Sequence, residues 1–480
     1  MVNRERLIPV IVASPLFLQN LDSSALATAL PSIAHSLQVP ALHLNLAITS
    51  YLLSLAVFLP ISAWLAERFG TKRVFCLAIV LFSLGSALCG AATSLPELVL
   101  FRVLQGLGGA MMVPVGRLIL LRSVAPAQMV SAMVWFTVPP VIGRMMGPMF
   151  GGAVVTLTSW RWIFLINIPF GIIAVLLAMA YLDDQREETL APRFDLPGFL
   201  LLGIGPARRF AGLSPMLLGI GLSAVLGGVE TWGKDLVPGS VTGLLVLGGA
   251  GALGLYYRRS RSLADPLIDL GILRYRTFRT NVVGATTLRL AIGATPFMLP
   301  LMLQLGFGLS PLVSGALTVA TAIGALATRA VMKPMIQRFG FRNLLLSATV
   351  LGGLLYMSYG LFRPTTPHLL MFLTMMLGGL VNSMCMVALG TLGFSEVPRH
   401  RLGHATALSS MVQQLSLSVG VVMGASLVTA ASWWRGGDGT HLLAGDFSPA
   451  FFVVGLLCWV SLLSFRQLDP DEGAGMREPR

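Results

Sequence analysis

Charge is what this sequence has least of. Only 11% of its 480 residues are charged, against 55% hydrophobic, at a mean hydropathy of +0.80. A soluble chain carries roughly twice that share of charge. Without a water-facing surface to spare, the chain is not an ordinary soluble globule, and lipid must be the solvent for most of it. Cysteine is scarce too. Cys76, Cys89, Cys385 and Cys458 stand singly in apolar runs, without metal or disulfide spacing, and are expected to pack as small hydrophobes. The histidines, His35, His43, His368, His400, His404 and His441, fall in loops or near the ends of apolar runs. They form no metal or nucleophile constellation, so the sequence calls for no cofactor, metal or catalytic centre and argues against an enzyme. Acids are scarcest of all inside the apolar runs, where Asp22 is the only one placed deep.

What is present is a series of apolar runs of bilayer length, about 20 residues each. Fourteen can be traced, at approximately 8–30, 44–66, 74–94, 97–120, 129–157, 162–182, 213–231, 239–257, 282–304, 311–332, 343–362, 368–392, 405–430 and 448–465. Alternate connections collect the cations, among them Arg68, Lys72, Arg122, Arg276, Lys333, Arg342 and Arg466. The other side holds only Arg161, Lys234, Arg363 and Arg435. This positive-inside bias predicts that both termini are cytoplasmic. The net charge of +13 then reports topology and anionic lipid contact, with no nucleic-acid partner implied. The opening "MVNRERLIPVIVASPLFLQNLD" has the look of a secretory signal, but the runs that follow favour an uncleaved first helix.

Six runs precede the charged loop "DDQREETLAPRFD", two follow it, and six more come after the basic stretch "YYRRSRSLADPLIDLGILRYRTFR". The expected division is a bundle over 1–182, a linker with two extra helices over 183–280, a second bundle over 281–466 and a tail over 467–480. An internal echo supports two related halves: "LAERFGTKR" after the second run is answered by "MIQRFGFRN" after the tenth. Within "FLLLGIGPARRFAGLSPMLLGIG" the pentad Leu-Leu-Gly-Ile-Gly occurs twice, which reads as an interfacial segment followed by the start of the seventh run.

Three stretches carry chemistry. In "LFRVLQGLGGAMMVP", Arg102 and Gln105 share a helix face at i and i+3, while Gly106, Gly108 and Gly109 permit close backbone approach. A guanidinium inside a span costs on the order of 3 kcal/mol, so Arg102 should face a cavity or a partner. Asp22, in "LDSSALATALPSI", is the obvious one, either as a structural ion pair or as a carboxylate whose proton affinity the cation tunes. In "AWLAERFGTKR", a turn at Gly70 sits among Glu67, Arg68, Lys72 and Arg73. That cluster reads either as a solvated basic loop or as a lock on one conformational state. In "VIGRMMGPMFGG", Gly143, Gly147 and Gly151 repeat every four residues beside Gly152, and Pro148 removes a backbone donor. The stretch can serve as a close-packing interface or as a helix that bends against its neighbour.

These segments, with "SWRWIFLINIPFG", occur in the order seen in the major facilitator superfamily, and the chain resembles its fourteen-helix drug:proton antiporter branch along nearly its whole length. The resemblance implies an all-α polytopic membrane protein of two six-helix bundles plus two extra helices. It further implies export of small molecules across a bacterial inner membrane in exchange for protons, by a protein working as a monomer. By position, Asp22 and Arg102 would couple protons. Glu67, Arg68, Gly70, Lys72 and Arg73 would form the cytoplasmic gate motif. Gly143, Gly147, Pro148, Gly151 and Gly152 would form the antiporter motif. The chain departs from the pattern at Ala63, where glycine is usual, at Glu67, where aspartate is usual, and at Arg144, which replaces a small or apolar residue. Arg144 is expected to turn toward the cavity or the periplasmic end.

Substrate class is less constrained. Arg102, Arg117, Arg144, Arg289 and Arg329 face one deep acid, and a cationic cavity favours anions. Arg117 and Arg329 are expected to snorkel to the basic side. Amphipathic drugs or metabolites are one substrate expectation, and an organic anion such as citrate, with or without iron, is the alternative. Gln105, Arg289, Gln304, Asn382 and Gln413 are the candidate cavity residues, with Gln414 beside them, and the polar ones serve equally well as helix-helix glue.

Overall fold

The structure, a computed structural model, describes residues 4–123, 129–183, 239–260, 270–398, 401–437 and 442–469. Every regular element among them is helical. In lipid this follows from the backbone, since each N–H and C=O must be satisfied within its own segment. The first half comprises α1 (Arg4–Leu37), α2 (Asn45–Phe69), α3 (Thr71–Ala91), α4 (Leu95–Ser123), α5 (Met129–Leu157) and, after a short turn of helix at Arg161–Leu165, α6 (Asn167–Tyr181). One helix of the linker is described, α7 (Gly239–Ser260). The second half holds α8 (Thr286–Leu301), α9 (Pro311–Tyr359), α10 (His368–Leu392), α11 (Leu402–Trp434) and α12 (Ala444–Val460). Wide π-type turns at Thr280–Gly284 and Met302–Gly306 extend α8 at both ends.

Among the described residues, 11 stretches are long and apolar enough to cross a bilayer. They match expected runs, and α5 and α7 coincide with two more. The expected run 213–231 and the duplicated pentad lie outside the described residues. The protein is a multi-pass membrane protein.

The internal echo has a backbone basis. Gly70, between α2 and α3, has φ 92° and ψ 142°, and Gly340, which breaks α9 into two spans, has φ 72° and ψ 169°. Side chains rarely adopt that region, so the same Arg-Phe-Gly sequence ends a span the same way in both halves. The likeness extends two residues further. Lys72 Nζ donates to the Met179 carbonyl at 2.8 Å, near the end of α6. Arg342 Nη2 donates to the Arg466 carbonyl at 3.1 Å, just past the short helix Leu462–Phe465 that follows α12. Each cation therefore meets carbonyls at a helix C-terminus, the end that favours positive charge.

The halves do not meet evenly. At the end opposite the basic loops, Leu26, Leu30, Ile33 and Trp160 of the first half join Phe297, Leu301 and Phe447 of the second in one core, which in the second half runs on to Phe341 and Phe465 beside the basic turn. Toward the basic end the cores separate: Ile11, Phe75, Met112 and Phe136 cluster within the first half, and Phe278, Leu408 and Met411 within the second, joined there by Ala56 of α2. Hydrogen bonds across the seam among the described residues include Gln304 Nε2 to the Thr28 carbonyl at 2.8 Å and Ser418 Oγ to the Thr49 carbonyl at 3.5 Å.

Candidate functional site

The site begins with small residues. A Cβ on Gly106 would fall 2.6 Å from Ser54 Cβ, and one on Gly108 would meet the backbone of Phe82. Helix α4 therefore lies close against α2 and α3, which aims Arg102 into the first half. There Arg102 Nη1 donates to Asp22 Oδ2 at 2.8 Å and to Gln105 Oε1 at 2.7 Å, while its Nε donates to the Ala47 carbonyl at 3.2 Å. The Tyr51 ring covers the guanidinium at 4.4 Å and Phe164 approaches at 5.7 Å. Both charges are buried, at 1% exposure each. A desolvated ion pair is tolerable only when its polar groups find partners, and Nη1 and Nε of Arg102 have theirs while the Tyr51 ring covers the guanidinium face.

The acid has further support. Asn167 Nδ2, at the start of α6, donates to Asp22 Oδ1 at 3.2 Å and to Ser86 Oγ at 2.9 Å. Ser86 Oγ donates in turn to the Phe164 carbonyl at 2.9 Å. Gln19 Nε2 holds the Tyr51 hydroxyl at 3.0 Å. Two buried amide atoms beside the pair, Gln105 Nε2 and Asn167 Oδ1, have no partner among the described residues. Asn167, Tyr51 and Ser86 were not singled out from the sequence. Asn167 had a signal, being the only amide side chain in an otherwise apolar α6.

The glycine motif serves two interfaces. A Cβ on Gly143 would run into the Phe17 carbonyl, one on Gly147 into Ser24 Oγ, and one on Gly151 would lie 2.5 Å from the Ala25 carbonyl, all on α1. Gly152 instead meets the Pro311 carbonyl of α9, and Gly315 of α9 meets the Pro148 carbonyl in return. The repeat thus packs α5 on α1, and its last glycine closes the seam between halves. Arg144 lies on the helix face between these two contacts. Its side chain is exposed and its Nη2 donates to Asn20 Oδ1 of α1 at 2.8 Å.

The remaining candidates scatter. Arg289 is buried at 2% exposure, with Nη1 donating to the Asn281 carbonyl at 2.6 Å and Nη2 to Asn281 Oδ1 at 2.5 Å. Gln304 is buried in the seam through Thr28, while Asn382, Gln413 and Gln414 are half-buried. Arg117 and Arg329 are exposed near the basic ends of their helices. Of the gate motif, Gly70 and Lys72 take the positions given above and Arg73 is exposed; the side chains of Ala63, Glu67 and Arg68 lie outside the described set. The structure therefore brings Asp22, Arg102 and Gln105 together and leaves Arg289, Asn382 and Gln413 apart from them. Among the described residues no His, Cys, Asp and Glu group is arranged to hold a metal.

The sequence pattern of the Major Facilitator Superfamily matches residues 14–278 and 281–477. The chain belongs to the Major Facilitator Superfamily. Within this superfamily it is 39% identical over 421 residues to MdtD proteins, named for multidrug resistance, from Salmonella typhimurium and Salmonella typhi. Each alignment covers 87% of this chain and 85% of the relative. Solved structures share the fold at low identity. A POT family peptide transporter gives a TM-score of 0.68 at 15% identity over 99% of this chain and 97% of that one. The nucleoside transporter NupG gives 0.59 at 12% identity over 97% and 98%. Fold and relatives together identify a membrane transporter of the MdtD type.

Proposed function

We propose that the chain exports small amphipathic molecules across a bacterial inner membrane in exchange for protons, by alternating access of its two halves. The observation that carries this reading is the buried Asp22–Arg102 pair, ringed by Gln105, Asn167 and Tyr51. A carboxylate in a site this dry holds its charge only while the guanidinium stays against it. A proton arriving on Asp22 removes the reason for the contact. Gln105 Nε2 and Asn167 Oδ1 then offer hydrogen-bonding positions to a water or to the protonated acid. Titration at one point thereby changes how α1 sits on α4. Because α5 packs along α1 through its glycines, the same event loads the seam that Gly152 and Pro311 close.

With the basic end assigned to the cytoplasm, the Gly152–Pro311 seam closes the periplasmic end, and the separate cores at the other end leave the cytoplasmic side as the side of loading. The second half carries no equivalent buried acid–base pair among the described residues: Arg289 spends its fork on Asn281. Proton coupling is therefore assigned to the first half.

The test is transport by reconstituted protein under an imposed pH gradient, with ethidium and naphthalene-2-carboxylate as probes. Gradient-driven extrusion of either probe that vanishes in Asp22→Asn, with the variant still inserted, is the expected result. Equal gradient-driven extrusion by wild type and Asp22→Asn would remove the proton role.

A further inference from the structure

We infer that Arg144 is the anchor of a substrate subsite that takes the carboxylate or sulfonate head of an amphipathic monoanion in the cleft between the halves. This deepens the export reading above and rests on it.

The placement comes from helix geometry. At 3.6 residues per turn, Gly143, Gly147 and Gly151 define the face of α5 that meets α1, and Pro148 and Gly152 define the face that meets α9. Arg144 projects between the two, into the angle where the halves face each other. Ile142, Met146 and Met149 are exposed on the opposite side of α5, where lipid lies. The exposure of Arg144 is therefore exposure to the cleft. The glycine seam at Gly152–Pro311 and Pro148–Gly315 lies one to two turns beyond it, so the side chain stands just below the closed end.

Its chemistry is unlike that of Arg102 and Arg289, the two arginines buried inside the spans. Arg102 has a carboxylate and two further acceptors, and Arg289 has two acceptors from Asn281. Arg144 has one neutral acceptor, Asn20 Oδ1, and Asn20 is itself fixed by donating from Nδ2 to the Leu16 carbonyl at 2.8 Å. One arm of the guanidinium is thus held while the rest of the fork is free for a planar anion, the geometry at which arginine excels. A single cation matches a single negative head. Phe17 of α1, whose ring lies against Gly143, and Val141 of α5 are half-buried beside Arg144 and offer apolar surface to an amphipathic body. Asn20, which holds Arg144, follows Gln19 on α1, and Gln19 Nε2 donates to the hydroxyl of Tyr51, whose ring covers Arg102. An anion bound here would sit next to the ion pair it must influence.

Binding without a gradient separates this inference from the transport reading. Purified protein in detergent is titrated with naphthalene-2-carboxylate and with its neutral isostere naphthalene-2-carboxamide, by equilibrium dialysis. Wild type is expected to hold the carboxylate about tenfold tighter or more, the scale of one charge-assisted hydrogen bond. Arg144→Gln, which can still reach Asn20, should bind both compounds alike, and Arg144→Lys should keep most of the preference. An unfolding midpoint like that of wild type reports that Arg144→Gln is folded. No preference in wild type, or an undiminished preference in folded Arg144→Gln, overturns the subsite. Should Arg144→Gln fail to fold, loss of the preference in Asn20→Ala supports the inference and its full retention there counts against it. Loss of gradient-driven transport with the carboxylate preference intact would refute the export reading instead.

Discussion

A methyl group on Gly147 is the smallest perturbation of the α1–α5 contact that links Asp22 to the seam. Its Cβ would overlap Ser24 Oγ, fall 2.7 Å from Ser24 Cβ and 3.0 Å from the Ala25 nitrogen. The first atom is a short side chain, but it is fixed: Ser24 Oγ donates to the Asn20 carbonyl at 2.7 Å, one turn back on its own helix. Nothing flexible can yield, so α1 and α5 must part by several tenths of an ångström. Overpacking of this kind costs about 1–3 kcal/mol. The structure also specifies the rescue. Ser24→Gly deletes both the Oγ and the Cβ that stand in the way and leaves the Ala25 nitrogen, at 3.0 Å, as the next contact. Glycine in a helix interior costs about 1 kcal/mol by itself. The double variant Ser24→Gly/Gly147→Ala should therefore be more stable than the sum of its single variants by about 0.5–3 kcal/mol, the range for directly touching residues. Thermal unfolding of the four proteins in one detergent, followed by tryptophan fluorescence, measures that coupling. Additive effects would mean that α1 and α5 do not touch at this point. Gly147→Leu, too large for any such rescue, should insert and yet fail to transport, and an active Gly147→Leu protein would refute the claim that these helices must stay in contact through the cycle.

The two Arg-Phe-Gly turns make a paired prediction. Gly70→Ala and Gly340→Ala should each destabilise by about 1–3 kcal/mol, because both glycines occupy backbone space that side chains avoid; an unfolding curve unchanged by either would contradict the assigned turn. Lys72→Met and Arg342→Met remove equivalent ties to Met179 and Arg466, and each should lower stability by less than about 1 kcal/mol, as expected of exposed contacts; a large loss at only one of them would break the equivalence of the halves. Asn167→Leu keeps the branched outline of the side chain, at a larger volume, but strips Asp22 of a donor, so it should slow gradient-driven transport more than it lowers stability. Equal transport by Asn167→Leu and wild type would show that this donor is dispensable.

The spans, the ion pair and the glycine contacts were legible because each obeys a strong local rule. A lone acid in lipid-length apolar sequence needs a cation, and Arg102 was a buried-facing guanidinium on a face shared with Gln105. Glycines four residues apart mark a helix that another must approach. What escaped the sequence was which helix stands opposite which. Periodicity gives a face but not its neighbour, so the split of one glycine motif between α1 and α9 emerged only in three dimensions. Arg289 illustrates a second reason. Its partner Asn281 lies eight residues earlier, and the π-type turn at Thr280–Gly284 followed by a break at Ala285 brings it round, a geometry no regular helical spacing implies. Asn167 escaped for a third: an amide in an apolar span is usually glue between helices, and nothing local tells it from a ligand of the central acid.

The account turns on whether Asp22 changes protonation while Arg102 stays charged beside it. Infrared difference spectra of the reconstituted protein, taken across a pH jump, read a carboxyl C=O band directly and need no substrate. The account predicts a band that grows on acidification of the wild type and is missing from Asp22→Asn. Identical difference spectra from the two proteins would contradict it and leave the pair a structural fixture.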